Sequence, residues 1–112
     1  MKTKDEALKI LGEVYRDCSD IFPCKIHDAY LYGSYARGDF DEESDVDIFL
    51  TVDMDWERIR NYRKFFSHME SELSLKHDVM VSVIVNPLEL FQRIPDYPYF
   101  RNIRKEGIRY GA

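Results

Sequence analysis

The chain reads LYGSYARGDFDEESDVDI from residue 31 to residue 48, and this stretch decides the fold that we expect. The mostly apolar run from His27 to Tyr32 ends at a glycine, which indicates a short buried strand. Gly33-Ser34 then indicates the start of a short helix, and residues 38–44 are polar and typical of a turn. Next comes the alternation of a strand with two distinct faces. Its apolar positions are Val46, Ile48, Leu50 and Val52.

The Gly33-Ser34 pair and the Asp45-x-Asp47 pair together predict a site for phosphates and metal ions. Glycine lets a ligand approach the backbone closely, and N–H groups at the start of a helix favour a phosphate. Asp45 and Asp47 lie two apart on a strand, so their side chains leave the same face about 7 Å apart along the chain. This reach suits two divalent ions about 3.5–4 Å apart, which hold the oxygens of phosphoryl transfer. Carboxylate ligands favour magnesium over zinc.

A third carboxylate would complete such a site, and Asp78 is the only acid between Glu72 and Glu89. It precedes the apolar run from Val79 to Val85, which is the clearest strand pattern in the sequence. If this strand neighbours the strand of the two aspartates, Asp78 faces the metal ions and accepts a proton from an incoming hydroxyl. We therefore expect Asp78 to be a metal ligand and a catalytic residue.

Arg37 lies between the two motifs, and the sequence leaves two roles open for it. The guanidinium either binds a phosphate of the nucleotide or pairs with Asp39 or Asp41. Both roles suit a basic side chain in an acidic loop.

The remaining segments predict helices around these strands. A capping box at Thr3 precedes a helix at residues 4–18. Asp53 and Asp55 are both suited to cap one long helix, whose apolar face is formed by Ile59, Tyr62, Phe66, Met69 and Leu73. A short helix at Leu88–Arg93 and a final helix that ends at Gly107 follow. This order predicts an α+β fold: one domain over residues 1–112, with a small mixed sheet of about three or more strands and helices covering one face.

Composition and charge exclude several classes of protein. The chain has 112 residues, 45% of them hydrophobic, and no stretch approaches the 18 uninterrupted apolar residues of a membrane span. Two cysteines are too few for a disulfide framework, so we expect a cytoplasmic protein. Residues 39–55 contain eight acids and no lysine or arginine, which argues against a grip on a nucleic-acid backbone. The acidic run is either a solvated loop or a place where cations bind.

The spacing of Gly-Ser, ten residues and then Asp-x-Asp, with Ala-Arg-Gly between, resembles the signature of the polymerase-beta-like nucleotidyltransferase superfamily. Within it the chain resembles the minimal nucleotidyltransferase (MNT) group, whose members are antitoxins beside HEPN-domain toxins. The resemblance implies that Gly33 and Ser34 hold the nucleoside triphosphate and that Asp45 and Asp47 bind two magnesium ions. The superfamily's third acid falls at Asp78. With an alignment shifted by four, Ser82 takes that place and the general base is missing.

The resemblance also implies a function, the transfer of AMP from ATP to a tyrosine hydroxyl of a HEPN-type toxin ribonuclease. Relatives that modify antibiotics or RNA add a further domain for the acceptor, so here we expect a partner protein to bring it. Three alternatives stay open: a silent antitoxin that acts by binding and occlusion, a stand-alone nucleotidyltransferase acting on a small molecule or an RNA end, and a structural domain without a ligand.

Overall fold

A computed structural model describes residues 3–111, which form six helices and four strands. In chain order the elements are α1 (Lys4–Ile21), β1 (Ile26–Tyr32), α2 (Ser34–Arg37), β2 (Val46–Val52), α3 (Trp56–Arg60), α4 (Arg63–His77), β3 (Val81–Pro87), α5 (Leu88–Arg93), α6 (Pro98–Glu106) and β4 (Ile108–Arg109). Within the described residues no helix combines the length and the apolar character needed to cross a membrane.

The four strands form one mixed sheet in the order β3-β2-β1-β4. β1 pairs antiparallel with β2 and with β4, and β2 pairs parallel with β3. β2 is therefore internal, and all of its residues are buried except the half-buried Asp47. This mixed sheet confirms the α+β fold that the sequence predicts.

The helix α1 begins where the capping box predicts. The Thr3 hydroxyl accepts a hydrogen bond from the Glu6 N–H at 3.1 Å, which satisfies one of the free donors of the first turn. The helix continues three residues beyond the predicted end, to Ile21, because the Phe22 N–H still donates to the Cys18 carbonyl at 2.9 Å. Pro23 has no N–H to donate, and the helix does not continue beyond it.

Alternation along β2 gives the sheet two apolar faces. Ile48 and Leu50 point into the main core, which also contains the buried sides of α1 and α4. Phe49 lies between them in sequence and points to the opposite face. There it packs against Phe91 of α5 and Phe100 of α6, with ring centroids 5.2 and 6.0 Å away. Helices therefore lie on both faces, whereas the sequence led us to expect them on one.

The long helix expected after Asp55 is divided into α3 and α4. The Asn61 N–H donates to the Arg58 carbonyl and the Tyr62 N–H to the Ile59 carbonyl, so i→i+3 hydrogen bonds tighten the chain between the two helices. The turn keeps the predicted apolar face together, because the Tyr62 ring still packs edge-on against Phe22 at 5.2 Å.

Two further boundaries differ from their sequence predictions. β3 begins at Val81 rather than Val79, because the Val79 N–H is still bonded to the Ser74 carbonyl at the end of α4. Gly107 caps α6 as expected, but with extended backbone at φ −70°. A side chain there would place its Cβ 2.5 Å from the Ile103 carbonyl oxygen, so the glycine provides close packing and leads the chain into β4.

Candidate active site

The centre of the site is a contact between Asp47 and the backbone of Gly33. Antiparallel pairing of β1 with β2 places Tyr32 opposite Asp47, and the next residue is the glycine. Gly33 has φ +75° and ψ −155°, which is a region that only glycine adopts readily. A Cβ at this position would lie 2.5 Å from Asp47 Oδ2. The absence of a side chain at Gly33 therefore leaves room for the carboxylate beside the turn.

The helix α2 holds this turn in place. It starts at Ser34, and the N–H groups of Ala36 and Arg37 both donate to the Gly33 carbonyl at 3.1 Å. The Tyr35 ring is 1% exposed and stacks on Phe40 at 4.3 Å, which anchors the turn to the core. The N–H groups of Ser34 and Tyr35, which begin the helix, have no partner within it. The fold thus fixes donors suited to a phosphate next to a carboxylate suited to a metal ion.

The electrostatics of Asp47 also favour a cation. Burial raises the pKa of its carboxyl above the ordinary value, and the negative charge of Asp45 raises it further, while the Arg37 guanidinium opposes the shift. A cation bound between the two carboxylates would relieve both destabilising effects. Their oxygens are the hard donors that magnesium prefers. Within residues 3–111 no third histidine, cysteine, aspartate or glutamate joins them in a metal-binding cluster.

The parallel pairing of β2 with β3 identifies the neighbour of Asp47. Asp47 pairs with Ser82, and paired residues of adjacent strands share one face of the sheet. Of the two positions that the sequence offered for a third acid, the structure brings Ser82 to the site.

Asp78 lies elsewhere, as the exposed C-cap of α4. Its backbone is left-handed at φ +51°, a conformation that aspartate tolerates better than most residues, and its N–H donates to the Ser74 carbonyl. It precedes β3 by three residues and has a local structural role there. The structure does not bring Asp78 together with Asp47.

Arg37 forms ion pairs at the edge of the site. Its Nε lies 3.2 Å from Asp39 Oδ2, which is one of the two pairings that the sequence offered. A second guanidinium nitrogen lies 3.6 Å from Glu106 Oε2 on α6, a partner that sequence reasoning missed. The side chain is 43% exposed, and its charge acts on Asp47. Both contacts are on the surface, so exchanging one for a phosphate would cost little.

Two tyrosines that the sequence analysis did not select complete the surroundings of Asp47. The hydroxyls of Tyr32 and Tyr99 are hydrogen-bonded at 3.2 Å, and both side chains line a cavity of about 220 Å³ together with Gly33 and Arg37. Burial raises the pKa of each hydroxyl above its ordinary value, and the charge of Asp47 adds to the effect. Tyr32 was detectable as the residue before the glycine, whereas Tyr99 reaches the site only through the packing of α6.

The fold and this arrangement define the class of protein. The family model of the nucleotidyltransferase domain matches residues 11–110. The chain belongs to this family and is an enzyme of the nucleotidyltransferase type.

Curated relatives narrow the comparison. Two proteins of Methanocaldococcus jannaschii, each named "putative protein adenylyltransferase", are similar to this chain. One is 39% identical over 80 residues, which are 71% of this chain and 79% of the relative. The other is 36% identical over 83 residues, which are 74% of this chain and 76% of the relative.

Solved structures with a similar fold come from toxin–antitoxin proteins. One is a toxin–antitoxin crystal structure with AMP-PNP, with a TM-score of 0.58 and 18% identity. Another is an MntA-HpeT mutant, with a TM-score of 0.58 and 16% identity. Each comparison covers 88% of this chain and 70% of the other. At these identities the likeness shows the fold alone.

Proposed function

We propose that this protein is a magnesium-dependent protein adenylyltransferase that neutralises a partner toxin. In this proposal it acts in the cytoplasm and transfers AMP from ATP to a tyrosine hydroxyl of a HEPN-type toxin ribonuclease. The observation that carries the proposal is the close contact of the Asp47 carboxylate with the backbone of Gly33 at the start of α2. The names of the curated relatives and the toxin–antitoxin fold neighbours support it.

In this proposal the residues of the turn bind the triphosphate, and the two aspartates at the start of β2 bind the metal. The Gly33-Ser34 turn binds the triphosphate through backbone N–H groups and the Ser34 hydroxyl. Asp45 and Asp47 hold magnesium, which when bound supplies positive charge next to the reacting phosphate. The tyrosine oxygen forms a bond to the α-phosphorus, the bond to the bridging oxygen of the β-phosphate breaks, and pyrophosphate leaves. Because Ser82 has a hydroxyl in place of a carboxylate that would accept the phenolic proton, this proton passes to water or to a base of the partner.

A second candidate function is an antitoxin that binds and occludes its toxin without chemistry. The pairing of Asp47 with Ser82 favours this candidate, because it puts a hydroxyl where a third carboxylate would activate the acceptor. The two candidates differ in what the aspartates do: an occluding antitoxin protects cells even when Asp47 is replaced.

The test combines the purified protein, magnesium and ATP labelled on the α-phosphate with the protein encoded beside this chain. We expect the label on a tyrosine of that partner, and we expect Asp47→Asn to abolish it. Asp53→Asn is the matched control, since it removes the same charge from an exposed position just past the end of β2. Equal labelling by Asp47→Asn and Asp53→Asn would contradict the proposal. Protection of cells by unlabelled complexes would favour occlusion.

A further inference from the structure

A groove on the β3 side of the molecule collects exposed apolar side chains. Eight large apolar residues are exposed among residues 3–111, and four of them line this one groove of about 660 Å³. The four are Trp56, Ile84, Ile94 and Tyr97, with exposed fractions from 37% to 53%. Single exposed apolar residues are ordinary, but a contiguous patch marks a surface that binds something.

The groove lies along the second half of β3, beside the start of α4. At the start of the strand α4 covers the free edge, where the Val81 N–H donates to the Ser74 hydroxyl at 3.0 Å and the Val83 N–H to the Glu70 carboxylate at 2.9 Å. From Val83 onward the strand lines the groove together with α3, the start of α4, α5 and α6. In this part of the strand Ile84 is exposed and Val83 and Val85 are buried, so β3 contributes one exposed apolar side chain to the groove.

The groove shares a lining residue with the small cavity of the candidate active site. Tyr99 lines it and also lines the small cavity beside Gly33, where its hydroxyl bonds to Tyr32. A molecule bound in the groove beside Tyr99 would therefore contact a side chain that also lines the cavity at Gly33. This shared residue distinguishes the groove from the other exposed apolar residues, such as Ile21 at the end of α1.

The charged residues of the groove indicate the chemistry of the ligand that it binds. Its two charged lining residues are Arg60 and Arg63, in a chain whose net charge is −5. Within residues 3–111 neither forms an ion pair, so both guanidinium groups are available to carboxylates. The complementary ligand carries apolar side chains with an acidic residue next to them.

We propose that this groove binds the partner protein through a segment of apolar side chains flanked by a carboxylate, and so presents the acceptor hydroxyl to the site. The identity of the partner rests on the proposed function above. Arg60 and Arg63 hold the carboxylate, and Ile84 and Ile94 contact the apolar side chains.

The test measures three quantities. They are the dissociation constant for the protein encoded by the neighbouring gene, the dissociation constant for ATP with magnesium, and the rate of label transfer. We expect Ile84→Ser and Arg63→Glu each to weaken partner binding at least tenfold, with unchanged ATP affinity and unchanged transfer at saturating partner. Arg63 is the first residue of α4, where glutamate suits the helix dipole, so lost binding would not reflect lost folding. Ile21→Ser is the matched control, because it removes an isoleucine that is also exposed, to 49%, and does not line the groove.

The outcomes separate this inference from the proposed function. Groove variants that bind the partner as tightly as Ile21→Ser would contradict the inference alone. Groove variants that lose ATP affinity would also contradict it, because the groove would then hold the nucleotide. Groove variants that only break up a dimer would assign the surface to a second copy of the chain. Partner binding without label transfer would contradict the proposed function alone, and no partner binding by the unaltered protein would contradict both.

Discussion

Replacing Gly33 by alanine perturbs stability and the site in different ways. The backbone of Gly33 has φ +75° and ψ −155°, and holding a non-glycine residue there costs about 1–3 kcal/mol of the free energy of unfolding. The new Cβ would also lie 2.5 Å from Asp47 Oδ2. Because a carboxylate ends a rotatable side chain, Asp47 relieves the clash by turning away from its position. In the proposed role of Asp47 as a metal ligand, displacing its carboxylate by about 1 Å should lower the rate of transfer about 100-fold.

Gly38→Ala is the control for Gly33→Ala. Gly38 has φ +90°, so alanine costs about 1–2 kcal/mol there as well, but no atom lies within 4 Å of the new Cβ. Urea unfolding measures the stability of both variants, and transfer of α-labelled phosphate measures activity below the unfolding transition. We expect both variants to be destabilised and only Gly33→Ala to lose transfer. Equal transfer by the two variants would refute the role assigned to the Gly33–Asp47 contact.

Three further predictions concern single side chains. Burial and a neighbouring charge raise the pKa of Asp47 above its ordinary 3.8, so ionisation opposes folding. The unaltered protein should therefore lose stability as the pH rises from below 3.8 through the raised pKa, whereas Asp47→Asn should not. Urea unfolding without metal at a series of pH values measures this difference. Added magnesium should stabilise only the unaltered protein. Ser82→Asp should tighten magnesium binding in calorimetry about tenfold by adding a third carboxylate beside Asp47, whereas Asp78→Asn should leave it within twofold. Burial raises the pKa of the Cys18 thiol to about 12 and encloses it fully, so alkylation at pH 8 followed by mass spectrometry should modify Cys24 first and Cys18 only on unfolding.

Local chemistry explains which parts of the fold could be predicted from the sequence. The Thr3 cap, the alternation through β2 and the short helix at Leu88–Arg93 each depend on residues a few positions apart, and each is confirmed. The Gly33-Ser34 turn belongs to this group as well. Its glycine is required partly by its own backbone angles, and a Gly-Ser pair after an apolar strand signals such a turn.

The parts that could not be predicted depend on which segments meet in space. Choosing between Asp78 and Ser82 needs the register of β3 against β2, which no local pattern records. The second helical face follows from the packing of Phe49 against α5 and α6, and the pairing of Arg37 with Glu106 joins residues 69 positions apart. The division between α3 and α4 is a local turn, but the continuous apolar periodicity of the segment concealed it.

The most direct measurement of the central claim is to follow which phosphate of ATP reaches the partner. Two parallel reactions with magnesium and the protein encoded beside this chain would use ATP labelled on the α-phosphate in one and on the γ-phosphate in the other. An adenylyltransferase leaves the α-label on a tyrosine of the partner and releases the γ-label in pyrophosphate. With Asp47→Asn, neither label should appear on the partner. The γ-label on the partner, or no label from either ATP, would contradict the account.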